Sequence, residues 1–235
     1  MLWYKAWLET RSRFVIAIVG TVFLCSWFVL HGDRVGLPYS QADYFNMVLH
    51  SCHILLVLMW VLSVTVLMMG GLLREKAMGS SAFTLALPVK RKQMMMARIG
   101  VGFVEAIALA VLPWAAMFAV GSIFGKTHSI SQALFHVVLL LGGGLVIFSI
   151  AVLASSLLEG EYMANIVGMG VVMTMLVMDK PRWRPYNPLQ FMMGDGRVLR
   201  HVLTGPIPWL QVAAYVSFAA LLLVVSVKAI QRREF

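Results

Sequence analysis

The chain has 235 residues, 60% of them hydrophobic and only 12% charged, against roughly a quarter charged in an ordinary soluble domain. A soluble fold of this size cannot bury that much apolar surface, so lipid must cover most of it. The net charge of +9 does not point to nucleic acid, because the basic residues gather at the ends of apolar runs, where membrane topology places them.

Met1 to Arg13 has the pattern of an interfacial helix. Trp3 and Trp7 are one turn apart, as are Tyr4 and Leu8, and Lys5, Glu9, Arg11 and Arg13 supply a polar side. The run from Phe14 to Leu30 is followed by His31, Gly32, Asp33 and Arg34 rather than by a small-residue cleavage site, so it is expected to be a retained first span. Span two is expected over Tyr44 to Leu73, longer than the roughly 20 residues a bilayer needs. Span three follows over Ile99 to Ile123 and span four over Ser131 to Leu158. Gly142, Gly143 and Gly144 at the middle of span four allow close helix approach or a bend. Span five is expected over Tyr162 to Met178 and span six over Trp209 to Val227. Between these two, residues 179–208 form a proline-rich segment that, with Trp183 and Trp209, suits a stretch dipping back into the membrane.

Spans two and three are joined by the longest polar interruption in the first half of the chain, Leu72 to Arg98. Ser80 or Ser81 can cap a short helix carrying Phe83, Leu85 and Leu87, and Pro88 stops it. Arg74, Lys76, Lys90, Arg91, Lys92 and Arg98 hold this segment on the cytoplasmic side. With both termini inside, Lys5, Arg11, Arg13, those six residues, Lys228, Arg232 and Arg233 place twelve of the 19 Lys and Arg in the cytoplasm. Seven lie outside, five of them in the segment before the last span. The inside excess supports this orientation.

Catalytic motifs are not found. Gly121 to Thr127 reads GSIFGKT, one residue short of a phosphate-binding loop, and it follows a membrane helix rather than a strand. Asp195 to Arg200 reads DGRVLR, which lacks the alanine and later aspartates of a phosphatidyltransferase signature. No G-x-S-x-G or H-E-x-x-H occurs. The chain is therefore read as not an enzyme by itself.

The segment Arg74-Glu75-Lys76, Gly79-Ser80, Phe83-x-Leu85-x-Leu87-Pro88-Val89-x-Arg91 and Arg98 resembles the stretch between spans two and three of the type-2 ABC transporter permeases, the membrane subunits of ABC exporters. The opening LWYKAWLETRSRF resembles their elbow helix and the ending VKAIQRREF their basic tail, while Asn187-Pro188-Leu189 sits where they carry a similar turn. The likeness of architecture spans the whole chain, and that of motif about a sixth of it. The resemblance implies an all-α, six-span subunit with an N-terminal elbow helix and a cytoplasmic coupling helix within residues 74–98, in a plasma membrane, bacterial by its compactness. It implies a dimer with a second copy or a paralogue, and a separate cytosolic ABC ATPase that supplies ATP and Mg²⁺. No cofactor is expected in this chain. Glu75, Gly79, Ser80, Phe83, Leu85, Leu87 and Arg91 become the ATPase-binding residues. Two other readings stay open, an anchoring or assembly subunit of the same fold that transports nothing, and a secondary transporter. The latter is disfavoured by the scarcity of mid-membrane charge.

A few residues stand apart. Glu105 lies inside span three, two turns past Arg98 on the same face. An ionisable residue there is either functional, on the translocation path, or a carboxylate that snorkels or pairs with Arg98. All six histidines fall on the outer side, and His50 and His53 are one turn apart with Cys52 between them. With Met47, Met192 and Met193 they suit a gate, or a copper or haem site, although interfacial histidines bonded to headgroups explain the same pattern and no ligand spacing is diagnostic. Cys25 and Cys52 read as small apolar packing residues rather than a disulfide or metal pair.

Overall fold

The computed structural model describes residues 2–31, 41–68, 91–125, 130–158, 162–177, 186–194, 198–199, 202–203 and 205–232. In chain order these form α1 (Leu2–His31), α2 (Gln41–Leu67), α3 (Arg91–Ile123), α4 (Ile130–Leu157), α5 (Met163–Val177), α6 (Pro188–Met193), a two-residue antiparallel hairpin of β1 (Val198–Leu199) and β2 (Val202–Leu203), and α7 (Trp209–Arg232). Five helices among the described residues are long and apolar enough to cross a membrane. The chain is an all-α multi-pass membrane protein, and among the described residues the regular elements are helices apart from that hairpin.

The helix ends differ from the expected ones in several places, and α7 runs five residues past Val227 to Arg232. Residues 2–13 run without a break into the first span, because no proline or glycine occurs before Gly20. The separate interfacial helix expected there is instead the first two fifths of one 30-residue helix. Helix α3 begins eight residues before Ile99, at Arg91. The expected fifth span appears as the 15-residue α5, about 22 Å long and shorter than the roughly 30 Å hydrocarbon core.

Helix α1 packs along α3 and α2, while α4 carries α5, α6 and α7. The three consecutive glycines of α4 leave the helix unbroken and serve close approach. A Cβ on Gly144 would stand 2.6 Å from the Trp60 indole, and one on Gly143 would stand 2.6 Å from the Pro188 carbonyl oxygen. Trp60 is buried at this crossing and donates its indole N–H to the Ala106 carbonyl at 2.8 Å, tying α2, α3 and α4 together.

Short as it is, α6 is firmly set. Asn187 caps it by accepting from the Leu189 N–H at 3.0 Å and donates its own amide to the Met175 carbonyl at 2.8 Å. Pro188 sits at the first helical position, and Gly194 ends the helix with φ of 76°. Pro188, Leu189, Phe191 and Met192 are buried against α4. Within the proline-rich segment before the last span, residues 187–194 thus pack against the helical core.

Candidate functional site

Of the expected ATPase-binding residues, Glu75, Gly79, Ser80, Phe83, Leu85 and Leu87 lie outside the described residues. Arg91 is the first residue of α3. The described residues hold two other polar groupings, one at each end of the bundle.

The first is a basic end, where α1 and α3 start side by side. Arg98 Nη1 stands 3.6 Å from Glu9 Oε2, and Lys5 stands 3.9 Å from Glu9 Oε1. Arg13 Nη1 donates to the Val66 carbonyl at 3.4 Å, which fixes the level of α2 relative to α1. Glu105 is buried at this level and does not snorkel. Its Oε1 accepts a hydrogen bond from the Thr10 hydroxyl, and the Arg98 charge lies close enough to act on it. Its Oε2 has no hydrogen-bond partner among the described residues. The sequence marks Glu105 as unusual but gives no sign that Thr10 meets it across 95 positions.

The second grouping lies in the opposite half. His53 on α2 is fully buried, and its Nε2 lies 2.8 Å from the Met192 carbonyl of α6. A carbonyl only accepts, so Nε2 carries the proton and Nδ1 is a bare lone pair. His136 on α4 meets His53 edge to face, with ring centroids 4.3 Å apart. Its Nδ1 donates to the Gln132 carbonyl at 2.7 Å, which leaves Nε2 bare. Trp114 on α3 closes the group, with its ring 5.0 Å from His136. His53 Nδ1, His136 Nε2 and the Trp114 indole N–H are all buried with no hydrogen-bond partner among the described residues. His50, one turn along α2, lies near enough to act on both rings. Of the methionines expected beside them, Met192 contributes its backbone carbonyl rather than its sulfur. His31 is half-buried and stacks on Trp27, and His128 and His201 lie outside the described residues.

Beside this histidine pair lie three buried sulfurs. The Cys52 thiol donates to the Met117 thioether at 3.4 Å, and Cys25 belongs to the same buried cluster. The cysteines do pack in the core as expected from sequence. What their positions 27 residues apart on different helices conceal is that they share one buried cluster with a methionine from a third helix, which Cys52 meets directly. No group of three or more His, Cys, Asp or Glu stands close enough to share an ion among the described residues.

The pattern of six apolar helices, a basic break between the second and third, and a buried polar half admits more than one family. No family model matches the chain, and no curated protein matches it.

Proposed function

We propose that the chain is the membrane subunit of an ATP-driven exporter of the type-2 ABC class. It acts as a dimer whose paired subunits bound the path and take their power from separate cytosolic ATPase subunits. The observation that carries this reading is the sequence from Arg74 to Arg98, a basic stretch in which Ser80 and Ser81, the apolar Phe83, Leu85 and Leu87, and Pro88 follow in turn, placed between the second and third of six apolar helices. Helix α5 counts as the fifth span in this reading, and Leu2–Arg13 takes the place of the elbow helix, with exposed Trp3 and Tyr4 at headgroup level. The basic end is then cytoplasmic, and both termini lie there.

Mechanically, closure of the ATPase pair is relayed through the segment around Gly79 to Leu87, which the sequence suits to a short helix, into α2 and α3. Those two helices are locked to each other by the Trp60–Ala106 hydrogen bond and to α1 by the basic-end contacts, so a push at their connection moves them as a unit. Phe83 and Leu85 supply an apolar anchor for the ATPase groove, and Arg91 a charge.

Affinity capture of the tagged chain from native membranes tests this. Wild type should bring down a nucleotide-binding subunit, and the Phe83→Ala, Arg91→Glu double variant should lose it. Capture of no ATPase under conditions that keep membrane complexes intact sinks the reading. An ATPase that binds without any ATP-dependent cargo movement in vesicles would instead identify an anchoring subunit.

A further inference from the structure

The histidine half presents electron-pair donors that the protein leaves unused. Cys25, Cys52 and Met117 come from α1, α2 and α3 and are 1%, 0% and 0% exposed. Counted by helix rise from the basic-end residues Arg13, Val66 and Glu105, they lie about 18, 21 and 18 Å along their helices, so they share one layer. That layer also holds the bare nitrogens of His53 and His136. Buried polar atoms of a native fold are nearly always satisfied, and here His53 Nδ1 and His136 Nε2 have no hydrogen-bond partner among the described residues. Lone pairs on nitrogen and sulfur suit a cation.

We propose that Cys25, Cys52 and Met117 form an intramembrane binding site for a soft monovalent metal ion of the copper(I) class. The third donor decides the class. A thioether is a poor ligand for zinc, magnesium or calcium, whereas thiolate with thioether selects copper(I). The geometry is close to what such an ion needs. With metal–sulfur bonds of about 2.3 Å, the 3.4 Å between Cys52 Sγ and Met117 Sδ corresponds to a sulfur–metal–sulfur angle of about 95°, and opening it to trigonal takes about half an ångström of side-chain motion. Methionine, with its flexible stem, can supply that motion.

The protons balance. Metal–sulfur bonds form as the two S–H bonds break, each sulfur keeps its electron pair, and no oxidation state changes. Both protons leave to water. This site stands independently of the exporter reading.

The test uses the full chain in lipid nanodiscs, reduced and anaerobic, titrated with copper(I) against a bathocuproine competitor, with X-ray absorption at the copper edge. Wild type should take up on the order of one ion per chain in a sulfur-dominated shell. Met117→Leu conserves volume and should keep the fold, yet should weaken binding by more than the ~10–100-fold of an outer-shell change. Cys52→Ser should abolish binding, with circular dichroism and gel filtration to confirm that it folds, and Met175→Leu should change nothing. The proposal is overturned if wild type takes up no copper, if Met117→Leu binds as wild type does, or if the shell is nitrogen and oxygen only. It is equally overturned if Cys25 and Cys52 are isolated as a disulfide and the reduced chain binds no ion.

Discussion

The two ends of this bundle solve the problem of polar groups among apolar helices in opposite ways. At the basic end, Lys5, Glu9 and Arg98 carry full charges, but they are paired, and Glu9 keeps 41% of its side chain exposed. Paired charge at a wet surface contributes little, about 0–1 kcal/mol, and demands little. In the histidine half the groups are neutral and deeply buried, and several are unsatisfied. A buried donor or acceptor left alone costs about 1–3 kcal/mol, so a fold that keeps three together gives up stability there. The difference is one of exposure, with charge kept where it is paired and partly open and neutral polar groups kept where they are closed off. Glu105 joins the two styles, charged in type but buried like a histidine.

The comparison can be strained by substitution, and the largest effect should come where the halves meet. Trp60→Ala removes a buried indole and the Ala106 hydrogen bond together, and should destabilise the chain by about 3–5 kcal/mol, read as a loss of folded fraction in denaturant titrations in detergent. Next, Gly143→Val drives a side chain into the Pro188 carbonyl and should cost about 1–3 kcal/mol. Amide exchange should then rise in α6 while the basic end stays protected, and equal loosening at both ends would mean that the halves are not separate units. His53→Ala frees the Met192 carbonyl and should cost about 1–3 kcal/mol, independent of ionic strength. Smallest is Glu9→Gln, expected below about 1 kcal/mol and vanishing in high salt. If Glu9→Gln proves as damaging as His53→Ala, the contrast drawn between the ends does not hold.

Much of the architecture was legible in the residues. Long apolar runs punctuated by charge, glycine and proline fall within a few residues of α2, α4 and α7. Where the boundaries differ, at residues 2–13 and at Arg91, polar residues continue a helix that hydropathy alone would end, since charge does not break a helix and nothing with Pro or Gly backbone intervenes. The site was less legible. His53 stood out beside His50, but its real partner is His136, 83 positions away. Cys25, Cys52 and Met117 carried no shared signal at all.

What the sequence by itself determined is the solvent. Its hydrophobic content, long runs and basic flanks require helices in lipid, because no other spanning structure satisfies the backbone of such a chain there. What only the tertiary structure decided is which helix faces which. Helices that are apolar all round have no preferred face, so small features choose the packing, such as Gly143 beneath Pro188, Gly144 beneath Trp60, and Thr10 against Glu105. Those choices bring two imidazoles and three sulfurs into one buried layer, and no periodicity along the chain records them.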